Sequence, residues 1–463
     1  MSSLVIIGAG FSGTVAAIEF LRTAPEGSAL IILNRSGQLA RGLAYGTNSA
    51  IHLLNVPAGN MSAIVTEPDS YLDYCKSQNE DITSNCFTPR KMYGEYLESL
   101  LTQAEADARG RVDFKQITGN AKRVSAFEQG AKIELDNREE IFADQVILAL
   151  GHFPPLSPSA LQPLQDSPRY IKDPWSKDIS KLRDSDASVL LVGGGLTALD
   201  VISSLKKSNH SGDIIMLSRR GLLPIPHRVS RGATHSHPAL VQELTQKTPD
   251  ILCYFRIIRN YISNNPEMNW RDVIAAIRPV TTTLWLKLPD KERRRFLRHL
   301  QPYWDVHRHR VAPTTYAVFD ESLKAKKIKT LAGRVHSAEE NEHGARVSVR
   351  LRGDEHLTEL SVTYIINCTG PNSNPSLINE ALIRNLVVEE LVSTDLHGLG
   401  INVNRDMAVI DPSGKASTWL SYVGPMLKAK LWEATAVPEL RIHASAVAKK
   451  VVKLFSQSSP TSI

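Results

Sequence analysis

The sequence of 463 residues contains few cysteines, no long apolar run and no cluster of metal-ligating residues. The cysteines are widely spaced and none forms a C-x-x-C pair, which argues against a disulfide framework and against a dithiol reductase centre. No stretch approaches the ~20 apolar residues that a membrane-spanning helix needs. The N-terminus begins directly with strand-forming residues instead of a signal peptide. These absences predict a cytoplasmic protein without a metal site or a membrane segment.

Charge of one sign is also not in large excess. The chain has 54 Lys and Arg against 48 Asp and Glu, a formal net charge of +6. Because the basic residues are distributed and no nucleic-acid-binding motif is present, nucleic acid is not an expected partner. Small anionic ligands are a sufficient explanation for the excess. With 42% hydrophobic residues, the chain can bury a large core and form two or three domains.

A glycine-rich turn, GAGFSG, occupies residues 8–13. An apolar strand precedes it at residues 4–7, and a helical pattern of apolar residues follows it. In such a unit one glycine permits a positive φ, a second lets the backbone approach a pyrophosphate, and a third lets the helix and the strand pack closely. We therefore expect Gly8, Gly10 and Gly13 to bind a dinucleotide.

The same arrangement recurs at residues 193–198, which read GGGLTA between a strand at residues 189–192 and a second helical pattern. Alanine is permitted in the third glycine position. Gly193, Gly195 and Ala198 are therefore expected to bind a second dinucleotide.

The residues that end the second strand of each unit are expected to reach the adenosine ribose. In the second unit, Ser218, Arg219 and Arg220 offer a hydroxyl and two guanidinium groups and no carboxylate. That combination suits the 2′-phosphate of NADPH. A solvated pair of arginines after an exposed strand end is the alternative interpretation.

In the first unit, Asn34 and Arg35 stand where a ribose-binding Asp or Glu is expected. Asn34 can still accept a hydrogen bond from a hydroxyl group. The departure weakens the ribose assignment for this site but not the pyrophosphate assignment.

The two fingerprints belong to a larger internal duplication. Strand-like alternation at residues 112–135 leads to a buried strand and a glycine at residues 145–151, and residues 327–349 and 364–370 repeat this order. The predicted fold class is α/β, with two Rossmann-like dinucleotide-binding domains, the second inserted in the first, plus a mostly helical insertion.

This organisation resembles that of the two-dinucleotide-binding flavoproteins over nearly the whole chain. In that superfamily the N-terminal unit binds FAD, and the inserted unit binds NAD(P)H, which delivers hydride to the flavin. The resemblance implies that Val124 lies at the adenine and that Gly370 and Gly424 approach the isoalloxazine. The superfamily often has Gly-Asp before its last helix, whereas this chain has Gly-Pro, so the ribityl contact must come from elsewhere. The implied domains are 1–155 with 371–463 for FAD, 156–370 for NAD(P)H, and 222–325 for the helical insertion.

Four further segments narrow the resemblance: residues 41–47, 52–63, 89–97 and 432–441. They are similar to an FAD/NAD(P)-binding subfamily that includes bacterial flavin-dependent hydroxylases such as FAD-dependent urate hydroxylase. The resemblance implies that Asn55 and Met61 lie near the cofactor. The amide of Asn55, in an otherwise apolar stretch, suits the edge of a flavin ring; a capped turn is the alternative.

The stretch between the second fingerprint unit and its hairpin is too long for a simple Rossmann continuation. Helical patterns at residues 238–244, 271–277 and 290–300 predict that this insertion, a candidate substrate region, is mostly helical.

The insertion ends in an unusual cluster, WDVHRHRVAP, at residues 304–313. Two imidazoles and two guanidinium groups beside a tryptophan suit an anionic planar substrate and a proton donor. His307, Arg308 and Arg310 are therefore candidate substrate-binding and catalytic residues, with an interdomain salt-bridge network as the alternative. His227 is a further candidate, unless its loop contacts the nicotinamide phosphate.

Three classes of function remain open. The first is an FAD- and NADPH-dependent monooxygenase that uses O₂ to hydroxylate a small, anionic, aromatic or nitrogen-containing compound, with a urate-like purine as the first candidate. The second is an FAD-dependent NAD(P)H oxidoreductase that transfers no oxygen. The third is a nucleotide-binding regulator with little turnover. Fold alone cannot separate these classes.

Overall fold

The computed structural model of the protein describes residues 2–229 and 236–458. Residues 230–235, within the insertion, lie outside the described residues. The fold is α/β, with two parallel-sheet units that each contain one glycine fingerprint and with a helical region between strands of the second unit. This confirms the predicted fold class.

The elements follow one another along the chain in three groups. The first group is β1 Ser3–Ile7, α1 Phe11–Thr23, β2 Ser28–Asn34, α2 Gly42–Tyr45, α3 Ser70–Gln78, α4 Arg90–Ala108, β3 Val112–Thr118, β4 Ala121–Phe127, β5 Gly130–Leu135, β6 Glu140–Ala143 and β7 Gln145–Leu148. The second is β8 Tyr170–Ile171, β9 Val189–Val192, α5 Leu196–Lys207, β10 Ile214–Ser218, α6 Pro238–Gln246, α7 Ile251–Asn264, α8 Trp270–Ile277, α9 Thr281–Lys287, α10 Asp290–Arg295, α11 Gln301–Arg308, α12 Pro313–Lys324, β11 Ile328–Asn341, β12 Gly344–Leu351, β13 Leu357–Val362 and β14 Tyr364–Asn367. The third is α13 Ala381–Val388, β15 Ala408–Ile410, β16 Ala416–Tyr422 and α14 Val437–Ser458.

The first sheet has the strand order β15-β16-β7-β1-β2-β3. Its central strands are parallel and apolar, and α1 packs against both α4 and α14. The strands β4, β5 and β6 form a separate antiparallel sheet, after which β7 returns beside β1. The chain leaves this sheet after β7 and rejoins it at β16, so the second sheet is built from the intervening residues.

The second sheet has the order β13-β12-β11-β10-β9-β14-β8. Its strands β11, β10, β9 and β14 repeat the order β3, β2, β1 and β7 of the first unit, as the sequence predicts, but its hairpin is not a separate sheet. The single 14-residue strand β11 first pairs in parallel with β10 and then in antiparallel with β12, so it takes the place of both β3 and β4. A register shift between Val335 and Ser337 lies in this strand, where the bulge allows it to bend away from the parallel sheet.

The region between β10 and β11 is helical, and the helices predicted at residues 238–244, 271–277 and 290–300 are present. The last of them changes to a π-helical turn at Phe296–Leu300. Aromatic rings of Trp285 and Phe296 pack against Trp432, which belongs to the C-terminal part of the chain. The helical region is therefore attached to the first unit through its own core.

Within the described ranges, no helix combines the length and apolar character needed to cross a bilayer. The same ranges contain no group of three or more His, Cys, Asp or Glu side chains placed to hold a metal ion. All four cysteines are free thiols.

Candidate functional site

The first glycine turn connects β1 to α1 with little space for side chains. Gly8 has a φ of +104°, and a Cβ on it would lie 2.6 Å from the carbonyl oxygen of Ala149. A Cβ on Gly13 would lie 1.9 Å from the carbonyl oxygen of Gly8, so only glycine permits this approach of helix and turn. Gly10 differs, because its Cβ would meet only the Cα of Gly42, at 3.7 Å. The backbone itself therefore excludes a side chain at Gly8 and at Gly13. At Gly10 only a ligand in the adjacent groove would exclude one.

The second turn has the same construction between β9 and α5. Gly193 has a φ of +122°, and a Cβ there would lie 2.2 Å from the carbonyl oxygen of Cys368. Gly195 is the N-cap residue of α5 and faces open space, while Ala198 is fully buried. The alanine thus occupies the packing position of Gly13 in the first unit.

Both helices begin without a side-chain cap and without an acidic residue in the first turn. The N–H groups at a helix N-terminus have no partner inside the helix and carry a partial positive charge. An uncapped N-terminus beside a glycine turn is therefore suited to a phosphate group. This donor set fits the pyrophosphate of a dinucleotide at each unit.

A groove of about 640 Å³ runs along the first turn. Gly8, Gly10, Asn34 and Arg35 line it. The Asn34 amide donates to Ser36 Oγ at 2.9 Å and to the Gln38 carbonyl at 2.7 Å, which leaves its side-chain oxygen as the acceptor for a ribose hydroxyl. Arg35 is exposed and forms an ion pair with Glu380, which lines the same groove.

Val124 does not line this groove. It lies in β4, is fully buried, and pairs with Ile133. Asn120 and Ala121, at the beginning of the same hairpin, line the groove instead. The expected contact of Val124 with the adenine is therefore not supported, because only the end of the hairpin nearest the parallel sheet reaches the groove.

A second cavity, of about 440 Å³, adjoins the groove. Eight residues line both spaces, so the two form one continuous cleft. We call these residues the junction: Leu43, Ala44, Tyr45, His152, Phe153, Pro174, Trp175 and Thr435.

Asn55, Met61 and His227 all line the second cavity, as does Gly370. The His227 Nε2 atom lies 2.9 Å from the carbonyl oxygen of Asn55, and the imidazole packs against the ring of Phe87. The fold thus brings His227 and Gly370 to Asn55 and Met61, which lie far from them in the sequence. Gly370 has a φ of +95°, and no atom lies within 4 Å of the point that a Cβ would take, so it presents bare backbone to the cavity.

Gly424 serves a packing role at the end of β16. Its φ is +149°, and a Cβ there would lie 2.7 Å from the Leu150 carbonyl oxygen. The Tyr422 hydroxyl donates to that carbonyl at 3.0 Å and accepts from the backbone N–H of Met426. Pro425, not Gly424, is the neighbour that lines the groove.

Ser218 ends β10, Arg219 and Arg220 follow it, and all three lie outside both spaces of the cleft. Arg219 is exposed. Arg220 donates to the carbonyl of Arg298 at 2.6 Å, and its guanidinium lies 5.3 Å from the ring centre of Tyr303. Arg220 therefore also joins the second unit to the helical region.

The four residues His307 to Arg310 do not act as one group. His307 bonds through Nδ1 to the Tyr303 carbonyl and packs edge-on against Trp270. It lines a separate apolar cavity of about 570 Å³ among the helices, whereas Arg308, His309 and Arg310 line the second cavity of the cleft. Successive residues of a helix point about 100° apart, which separates His307 from its neighbours. The expectation that His307 shares a site with Arg308 and Arg310 is therefore wrong.

Arg308 is held by an ion pair with Glu433 at 2.7 Å, and both side chains are largely buried. This corresponds to the structural alternative for the cluster. Burial together with the cations Arg308, Lys428 and Arg278 lowers the pKa of His309 to about 3, so its imidazole is neutral at pH 7. Arg308 and Arg310 each have a buried Nε atom without a hydrogen-bond partner in the described part of the chain, but only Arg308 has an ion pair there.

Sequence reasoning missed several residues of the cleft, including Arg90, Arg271 and Arg278. Arg90 pairs with Asp200 of α5 at 2.8 Å, and Arg278 makes a bidentate pair with Glu439 of α14. Arg90 begins α4, whereas Arg271 lies in α8 and Arg278 directly follows α8, so the sequence does not place Arg90 beside the other two. His152 offered a usable signal, because it directly follows the glycine after β7, at the carboxyl edge of the parallel sheet.

Residues 5–153 match a protein family described as FAD-NAD(P)-binding. The match includes the first fingerprint and continues through β7 to Phe153. A comparison with curated protein sequences finds no match.

Solved structures with the same fold include several monooxygenases. The ornithine hydroxylase of Pseudomonas aeruginosa is 14% identical, with a TM-score of 0.64 over 98% of this chain and 99% of that one. The L-lysine 6-monooxygenase of Pseudomonas syringae is 13% identical, with a TM-score of 0.65 over 98% and 99%. The ornithine N-hydroxylase of Kutzneria sp. 744, in a complex with reduced FAD, NADP⁺ and L-ornithine, is 13% identical, with a TM-score of 0.62 over 97% and 99%. At these identities the similarity establishes a shared fold across the whole chain.

Proposed function

We propose that the protein is an FAD- and NADPH-dependent monooxygenase that acts on a small substrate carrying an anionic group. One observation carries this proposal: the groove along the first fingerprint opens, through the junction, into a cavity lined by arginines and by the start of α5. A dinucleotide in the groove would place its reactive end beside that cavity. The family match and the monooxygenases of the same fold support this assignment.

The residues that would hold FAD are those of the first turn and the groove. Gly8, Gly10 and Gly13 place the uncapped N-terminus of α1 at the pyrophosphate, and Asn34 offers an acceptor to the ribose. When bound, FAD would accept hydride from NADPH and would react with O₂. Ser218 and Arg219 remain our candidates for the 2′-phosphate of NADPH, with Arg220 as a shared contact.

The chain itself contributes binding, orientation and the exclusion of water. Aromatic side chains at the junction, including Tyr45, Phe153 and Trp175, enclose the point where groove and cavity meet. Removing water from such a site limits side reactions of a reactive intermediate and strengthens charge interactions inside it. The guanidinium groups in the cavity would orient an anionic substrate.

A urate-like purine anion remains our first substrate candidate, from the resemblance of the sequence to flavin-dependent hydroxylases. The relatives by structure favour a second one, an amino acid with a terminal amine, since those proteins act on ornithine and lysine. One feature of the cavity favours it too. Asp173 lines the cavity and has no arginine partner among the described residues, so its carboxylate is available to an ammonium group.

The two alternative functions predict different chemistry with the same cofactors. A reductase would oxidise NADPH without transferring oxygen to the substrate, and a regulator would bind nucleotide with little turnover. The decisive experiment reduces the FAD-loaded protein with NADPH and follows its reoxidation by O₂ in a stopped-flow spectrophotometer, with and without urate, L-ornithine or L-lysine. We expect one of these compounds to change the reoxidation rate and to lower the yield of hydrogen peroxide.

Reoxidation that is insensitive to every compound, with one peroxide per NADPH, would favour the reductase. Purified protein that neither contains nor binds FAD would favour the regulator. A Gly10→Val variant provides the matched control, because a side chain there enters the groove while the backbone remains unobstructed. It should abolish the reaction by excluding FAD.

A further inference from the structure

The second cavity is lined by six arginines, and they differ in whether a carboxylate neutralises them. Four are paired: Arg90 with Asp200, Arg228 with Asp272, Arg278 with Glu439, and Arg308 with Glu433. The remaining two, Arg271 and Arg310, form no ion pair within the described residues. The segment 230–235 contains no Asp or Glu, so it cannot supply a carboxylate.

The backbone holds these two arginines close to one point. A parallel bridge joins Pro226 to Val311, with Val311 donating to the Ile225 carbonyl at 3.0 Å. The guanidinium of Arg271 donates to the Pro226 carbonyl from Nε at 3.3 Å and from Nη2 at 3.1 Å. Arg310 immediately precedes Val311. Arg271 and Arg310 are therefore anchored on the two sides of the same bridge.

The two guanidinium groups are costly for the ligand-free fold. Burial and the neighbouring cations Arg271, Arg308 and Arg228 lower the pKa of Arg310 to about 10, with only Asp272 acting in the opposite direction. Burial and the nearby Arg228 also lower the pKa of Arg271. Both groups remain charged at pH 7. Both side chains are partly buried, and neither has a carboxylate partner among the described residues, although Arg271 donates to the Pro226 carbonyl and lies 4.4 Å from the ring centre of Trp270. Partly buried cations without a carboxylate are expected where a ligand supplies the opposite charge.

We propose that Arg271 and Arg310 form the subsite that binds the anionic group of the substrate, a carboxylate or a planar anion such as a purinate. Arg308 then lines this subsite but does not bind the anionic group, because the guanidinium of Arg308 is already paired with Glu433. Two guanidinium groups provide several N–H donors in fixed directions, which suits the two oxygens of a carboxylate. This inference deepens the proposed function and rests on the second cavity being the substrate site.

The test measures equilibrium binding to the FAD-loaded protein without NADPH or turnover, by thermal shift and by perturbation of the flavin absorbance. The probes are three pairs of similar shape, each with one anionic-headed and one neutral-headed member: urate and hypoxanthine, L-ornithine and L-ornithinamide, benzoate and benzamide. The variants are Arg271→Met and Arg310→Met, which keep an unbranched apolar stem and remove the guanidinium charge. Arg294→Met, at an exposed position of α10, is the control.

We expect at least one acid to bind the wild-type protein more tightly than its neutral analogue. Each variant should lose about 10-fold or more of that acid's affinity, the range of a hydrogen bond to a charged group, while the control keeps it. The melting temperature of Arg310→Met without ligand should be equal to or higher than that of the wild type, because the substitution removes repulsion. A binding role accounts for that pattern, and a purely structural role does not.

Three results would overturn the proposal. One is a wild-type protein that binds acids and neutral analogues equally. Another is an unchanged acid affinity in both variants. The third is a rise in the KM for NADPH in anaerobic flavin reduction that matches the loss of acid affinity, which would assign the arginines to a cofactor phosphate. Because binding is measured without NADPH and O₂, the subsite can be confirmed even if the protein proves to transfer no oxygen.

Discussion

Arg308 and Glu433 form an ion pair of 2.7 Å in which the side chains are only 12% and 4% exposed. The pair ties the end of α11, in the helical region, to the segment before α14, in the first unit. Arg308 is thus committed to joining two parts of the fold. Arg310, two residues along the chain, has no such partner in the described structure. We therefore expect Arg310, and not Arg308, to bind the anionic group of the substrate.

Removal of either member of this pair should destabilise the protein. Arg308→Met and Glu433→Gln should each lower the free energy of unfolding by about 3 kcal/mol, because each leaves a buried group without its partner. The double variant should lose clearly less than the sum of the two. Chemical denaturation of all four proteins measures this coupling. Strict additivity would show that the two residues do not stabilise the fold through each other.

Gly10 and Gly13 should respond differently to a side chain. Gly10→Val should fold but purify without FAD, since the added atoms enter the groove and meet no backbone closer than 3.7 Å at Cβ. Gly13→Ala should fold poorly, since its Cβ would lie 1.9 Å from the Gly8 carbonyl oxygen. Flavin absorbance per protein and circular dichroism separate the two effects. Full flavin content in folded Gly10→Val would remove the assignment of this groove to FAD.

Arg219 and Arg220 should set the preference for NADPH over NADH. Replacing both by Ala should raise the KM for NADPH and leave that for NADH little changed, because only NADPH carries the 2′-phosphate that these charges would bind. Arg219→Ala alone is the sharper variant, as Arg220 also contacts the helical region. Anaerobic flavin reduction at varied nucleotide concentrations gives both constants. Equal effects on NADPH and NADH would show that these arginines do not contact the 2′-phosphate.

His309 should make the fold sensitive to acid. Its pKa is about 3 in the folded protein, against about 6.5 in an unfolded chain. Between these values the unfolded state binds the extra proton, so stability is fully present above about pH 6.5 and falls as the pH is lowered toward 3. From pH 7 to 5 the contribution of this partly exposed group should be about 1 kcal/mol. His309→Gln should therefore lose less stability than the wild type over that interval; an identical pH dependence would contradict this.

The fold was predictable because each glycine fingerprint, with its flanking apolar residues, indicates a strand, a turn and a helix. The turns require a positive φ at Gly8 and Gly193, and the packing at Ala198 leaves room for a methyl group. The residues that line the cleft were harder to predict from the sequence. Arg271 and Arg310 are far apart in the sequence and are held at one cavity by the Pro226 to Val311 bridge, which no local pattern specifies. The misplacement of His307 has a similar origin, since sequence proximity within a helix does not mean a shared direction.

The most direct test of the account is the fate of molecular oxygen. The FAD-loaded protein would be supplied with NADPH, ¹⁸O₂ and each of urate, L-ornithine and L-lysine, and the products analysed by mass spectrometry. We expect one labelled oxygen atom in the product of one substrate, with NADPH consumed in equal amount. NADPH oxidation that yields only labelled hydrogen peroxide with every compound, and no labelled organic product, would contradict it.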